Sequence, residues 1–197
     1  YNTAVGALAG TAITTGLSNT LVGGLAGDAL TDADHNTAIG YGTLTTNVLG
    51  SRSTALGAFA LFNQNPATAV SMYNVAIGYD AGNGITTGVS NTLVGGLSGD
   101  VLTIGQENTA VGRSSLSAAV GDRYCVAIGN SALGSQTNAT GTDVYNTAVG
   151  YAAGAAVTSG IQNTLIGSLA GDVLTDADYN TAVGMGALGS DTLGSYS

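Results

Sequence analysis

The chain has 197 residues and a net charge of −9, with 8% charged residues, 32 glycines, one proline and no tryptophan. Glycine at this level without proline excludes a collagen helix and argues against a Pro/Gly linker, and an apolar fraction made mostly of Ala, Val, Leu and Ile suits many thin cores better than one thick one. Arg52, Arg113 and Arg123 are the only strong cations, which speaks against a nucleic-acid partner and against attraction to an anionic membrane. Cys125 is the single cysteine, so neither a disulfide framework nor a cysteine zinc site is available. No apolar run reaches the ~20 residues of a membrane span.

Taken in chain order, the predicted elements are copies of one unit. The pattern N-T-A-V-G opens at Asn2 and returns at Asn19, Asn36, Ser53, Asn74, Asn91, Asn108, Cys125, Asn146, Asn163 and Asn180. The spacings run 17, 17, 17, 21, then 17, 17, 17, 21, then 17, 17, so eleven units sit inside a super-repeat of 72 residues. Residues 1–197 thus form a single repeat array. NTLVGGLAGDALTDAD from Asn19 and NTLIGSLAGDVLTDAD from Asn163 agree at 13 of 16 positions. Tyr1 closes a unit whose start is missing, and Ser197 matches Ser53; the chain is expected to be a segment of a longer array, without terminal caps.

Five alternating residues read as a short strand. Position five is Gly in all eleven units, from Gly6 to Gly184, and position four is always aliphatic, beginning Val5, Val22, Ile39, Leu56 and Ile77. Seventeen residues are too few for a helix pair, and glycine costs a helix about 1 kcal/mol each. The expected fold is therefore all-β: a parallel β-solenoid of eleven coils, about 53 Å long at ~4.8 Å per coil. Positions two and four are expected to face inward, with the aliphatic column as the core. Positions one, three and five form the opposite face, too smooth and apolar for a solvated surface, which is expected to pack on the far wall of the coil or on another copy. Asn at position one is expected to stack as a hydrogen-bonded ladder, and the glycine to supply positive φ or a close backbone approach.

The residues that carry chemistry are few. His35, the only histidine, falls in a variable corner position, and no repeated partner for a general base stands near it. There is no G-x-S-x-G elbow, and a glycosidase pair would have to come from aspartates, because Glu107 is the sole glutamate. Asp28, Asp32 and Asp34 recur as Asp172, Asp176 and Asp178, a spacing open to Ca²⁺ and equally to plain turn chemistry; the copy at Asp100 carries Ile104 and Gln106 instead. No catalytic, cofactor or metal residue is assigned. The four-residue insertions lie within Phe62–Met72 and Gly134–Val144 and are expected to be loops about 19 Å apart, the candidates for ligand or lateral contacts. Asn138-Ala139-Thr140 fits a glycosylation sequon. All nine tyrosines fall just before the motif or just after its glycine, suited to shielding corners or stacking on sugars.

YNVAIG at Tyr73–Gly78 and YCVAIG at Tyr124–Gly129 resemble the N-S-V-A-I-G motif of trimeric autotransporter adhesin heads. NTAIGYGTLTTNVLGSR and NTAVGMGALGSDTLGSY are similar to the N-T-A-(VI)-G-Y-x-A-L repeats of bacteriophage tail fibres. The resemblance spans the chain and implies a left-handed β-roll, usually a homotrimer, in the shaft or head of an adhesive fibre. The adhesin-head repeat is nearer 14 residues, and the 72-residue super-repeat here is more regular than either family's. The resulting expectation is a non-enzymatic structural fibre segment, extracellular, in a surface appendage or virion tail fibre. It associates with itself as a trimer or end to end, with a cell-surface glycan or receptor as further partner. An ice-binding solenoid is the alternative from another class, because Thr columns recur, with Thr14, Thr31, Thr86 and Thr103 forming a second one; a polysaccharide-binding or depolymerising tailspike is the third.

Overall fold

The computed structural model describes residues 1–138 and 141–197. Eleven three-residue strands, Thr3–Val5, Thr20–Val22, Thr37–Ile39, Thr54–Leu56, Val75–Ile77, Thr92–Val94, Thr109–Val111, Val126–Ile128, Thr147–Val149, Thr164–Ile166 and Thr181–Val183, pair in that order as one parallel sheet. Every pairing is in register, so Val5 lies beside Val22 and Val22 beside Ile39. Gly50–Ser51 and Val70–Ser71 pair as a second, two-stranded parallel sheet. Among the described residues there is no helix. The chain is a parallel β-solenoid of eleven coils of about 17 residues, as the periodicity predicts.

The faces are the reverse of the sequence reading. Position three is the core: Ala38, Ala55, Ala76, Leu93, Ala110 and Leu165 are fully buried. Position four, expected to fill the interior, points outward: seven of its eleven residues are exposed, from 36% at Ile77 to 68% at Val183, and Val22, Val94, Val111 and Val149 are half-buried. The physical reason is width. On the strand wall the thin coil takes Ala or Leu, and β-branched residues such as Ile85, Val144 and Val157 enter the interior only at isolated places; a branched residue on every coil at position four would overfill it. The expectation that position three packs on the far wall of its own coil holds.

The interior also accounts for the 72-residue period. Coils with Leu at position three, at Leu21, Leu93 and Leu165, carry Gly at position nine; the two coils after them have Ala at position three and Leu at position nine, as at Leu44, Leu61, Leu116 and Leu133, and the coil before them has Ala at three and Gly at nine, as at Ala76 and Gly82. A Cβ on Gly82 would lie 2.8 Å from Leu93 Cδ1 and 3.0 Å from Leu61 Cδ2, so the leucines of both neighbouring coils occupy the space Gly82 leaves. Bulk passes from one wall to the other across four coils, and the sequence repeats when that jigsaw does.

The position-five glycine is required twice over. Its φ lies between 125° and 142° in all eleven coils, and a Cβ on Gly6 would stand 2.5 Å from the Gly23 carbonyl oxygen. At the opposite corner, the residue preceding the motif is left-handed without being glycine: Ser18, His35, Arg52, Tyr73, Ser90 and Glu107 have φ from 53° to 62°. An L-residue there costs roughly 1–2 kcal/mol. The corner N–H is held in return, as where His35 donates to the Leu17 carbonyl at 2.9 Å.

Candidate interaction surface

The first surface follows from the inversion of the strands. Positions two and four project together from the in-register sheet, so a Thr column runs beside an aliphatic column along the whole array. Val75 and Val126 replace Thr in two coils. Thr14, Thr31, Thr86 and Thr103, by contrast, donate their hydroxyls to main-chain carbonyls of the next coil at 3.1–3.2 Å or, for Thr31, 3.3 Å. The strand-face hydroxyls make no such bond among the described residues. Eleven coils at ~4.8 Å by a strand width of ~10 Å give roughly 500 Å² of Thr and aliphatic surface, at the upper end of what a monomer leaves exposed.

Behind that sheet the Asn ladder is present, and it does more than stack. Asn74 Oδ1 accepts the Asn91 N–H at 2.9 Å, and Asn91 Oδ1 accepts that of Asn108 at 3.1 Å. The same side chain braces its own coil: Asn91 Nδ2 donates to the Gly105 carbonyl at 2.9 Å. The two units without Asn, at Ser53 and Cys125, are the two long coils. There a glutamine from position twelve stands in, with Asn74 Nδ2 donating to Gln64 Oε1 at 3.0 Å and Asn146 Nδ2 to Gln136 Oε1 at 2.7 Å. Gln stands at position twelve only in these coils, and that coincidence is the sequence signal for the substitution.

The aspartates act between coils. Thr15 Oγ1 donates to Asp32 Oδ1, and the Leu17 N–H donates to Asp34 Oδ1 at 2.7 Å. In the later copy Thr158 and Ser159 donate to Asp176 Oδ1 at 2.7 and 2.8 Å, and the Ile161 N–H to Asp178 at 2.8 Å. The hydroxyls of Thr158 and Ser159 hold the Asp176 carboxyl below its ordinary value. Among the described residues no three His, Cys, Asp or Glu side chains gather as a metal site. His35 is an exposed corner residue. Cys125 is buried, and burial pushes its thiol well above the ordinary range.

Aromatic rings sit on the outside. Tyr124 and Tyr145 stack at 5.0 Å and 6°, Tyr179 and Tyr196 at 4.8 Å and 12°, while Phe59 meets Tyr41 and Tyr79 edge-on at 5.5 and 6.2 Å. The long coils depart from the wall after Asn65 and after Thr137; the first returns to it as Val70–Ser71. Ala139 and Thr140 of the sequon lie outside the described residues; Asn138 Nδ2 donates to Asp122 Oδ1 at 2.8 Å. No family model, curated protein or solved structure matches this chain, and no helix of the described residues is long and apolar enough to cross a membrane.

Proposed function

We propose that this array is a structural fibre segment of an extracellular appendage or virion tail fibre, in which three copies associate side by side through their strand faces to serve attachment. One observation carries the reading: an unbroken column of eleven aliphatic side chains, beside partnerless Thr hydroxyls, runs along the whole outer sheet. Apolar surface of that extent and straightness gains most by meeting a copy of itself, because a symmetric partner presents the same column at the same ~4.8 Å spacing. The reading is non-enzymatic. The aspartates serve as staples between coils in it, not as calcium ligands, and nothing about it needs a nucleic acid or a lipid bilayer.

Sedimentation velocity tests the association. Three copies of a 19.1 kDa chain in an elongated particle are expected, and Ile77→Asp with Val111→Asp should leave monomers with an intact β spectrum. A wild-type chain that stays monomeric at high concentration refutes it. A second reading has an observation of its own: an in-register sheet whose outer columns are Thr and an aliphatic has the regularity of an ice-binding face. Thermal hysteresis separates the two, because a face buried between copies cannot reach ice.

A further inference from the structure

Where the first long coil leaves the wall, a cleft of ≈ 690 Å³ opens over four successive coils, within the size range of small-ligand sites. It shares no residue with the eleven-stranded sheet, so a partner seated on the strand columns does not have to cover it.

The lining is mostly apolar, and its polar groups lean towards acceptors. Thr46 donates its hydroxyl proton to the Phe62 carbonyl at 2.8 Å, Thr86 to the Thr103 carbonyl at 3.2 Å and Thr103 to the Val120 carbonyl at 3.1 Å. Each therefore faces the cleft with lone pairs only. Asp100 adds a carboxylate with one oxygen buried and without a donor, and burial pushes its carboxyl up. Asn63 and Asn65 supply carboxamides; Asn63 is held by its donation to Asn83 Oδ1 at 3.1 Å, and Asn65 Oδ1 accepts the Val48 N–H at 3.4 Å, which leaves its amide protons as donors. Gly84 leaves bare backbone in the wall, and Val101, 41% exposed, offers an apolar patch.

We propose that this cleft is a binding site for a neutral oligosaccharide. Rows of acceptors want a ligand dense in donors, and vicinal sugar hydroxyls supply donor and acceptor on each carbon while the C–H face of the ring packs on Val101. An anion meets mostly acceptors, one of them a carboxylate, in a chain of charge −9. A metal ion finds one carboxylate where several oxygen ligands with more charge are the rule. A peptide strand offers too few N–H groups for the row, spaced ~6.8 Å apart on one face. The second long coil does not rebuild the site: Ala118, Ser135 and Ala156 stand where Thr46, Asn63 and Gly84 stand in the first.

The proposal deepens the attachment reading and rests on it for its purpose, yet the two are tested apart. Amide NMR of the whole chain is titrated with neutral tri- to pentasaccharides of glucose, galactose, mannose and N-acetylglucosamine, and with their sulfated counterparts. Saturable shifts confined to Thr46, Asn63, Asn65, Thr86 and Thr103 are expected with at least one neutral series. Asn65→Ala should weaken that binding by about tenfold or less, one hydrogen bond's worth, and Thr103→Val should weaken it while leaving the fold's spectrum in place. Shifts that map to the strand face, that appear only with sulfated sugars, or that survive both substitutions overturn the proposal, as does silence from every neutral series at millimolar concentration. Sedimentation of the same samples reports the association separately, so either claim can fail alone.

Discussion

Leu93 and Val94 are consecutive residues on opposite faces of one strand, and truncating each to Ala should have very different consequences. The Leu93 side chain is fully buried. Its methyls lie where Cβ atoms on Gly82 and Gly99 would be, 2.8 Å from the first position and 2.9 Å from the second. Glycine on both sides leaves only the ends of Leu61 and Ile85 to relax into the space, so Leu93→Ala belongs within the 2–5 kcal/mol seen for buried leucines. Val94→Ala removes two half-exposed methyls and should cost the isolated chain less than about 1 kcal/mol. Urea unfolding followed by far-UV circular dichroism, at a concentration low enough to suppress association, reads both. A Leu93→Ala cost below 1 kcal/mol, or equal costs for the pair, refutes the assignment of faces.

Asn91→Ala should cost about 2–5 kcal/mol in the same assay, because it strands the buried Asn108 N–H and the Gly105 carbonyl together; Asn91→Asp should not restore the loss. Burial pushes the Asp122 carboxyl above its ordinary 3.8 despite the amide of Asn138. The folded chain therefore holds that proton more tightly than the unfolded chain, and stability rises as pH falls through the raised value towards 3.8. Asp122→Asn should flatten that part of the curve of Tm against pH, and an unchanged slope counts against the burial argument. A thiol reagent should leave Cys125 unlabelled in the native chain and label it fully in denaturant; rapid native labelling would show that the wall opens there.

The period, the parallel pairing and the role of the position-five glycine were legible because each leaves a mark on every coil. The orientation of the strands was not. T-A-V alternates equally well with either face inward, and ordinary globular logic favours burying the branched residue. In a coil this narrow the strand wall takes Ala or Leu inside and leaves the mostly β-branched column outside. The correlation between Leu21, Leu93 or Leu165 and glycine six residues on was visible in the sequence. Its meaning required knowing that positions three and nine face each other. The replacement of Asn by Gln64 and Gln136 was hidden in the same way, since the two positions are ten or eleven residues apart in sequence and adjacent only across the coil. The cleft was foreshadowed by the first insertion, but its acceptor character depends on where Thr46, Thr86 and Thr103 send their protons.

Whether the aliphatic column is covered by copies of the chain is read most directly by spin labels at Ile77→Cys, with the buried Cys125 left in place, compared with labels at the exposed Thr87→Cys. Pulsed dipolar spectroscopy should give a short distance between chains for Ile77→Cys and a longer, broader one for Thr87→Cys. Short distances at Thr87→Cys alone, or no coupling between chains at either position, would contradict the account.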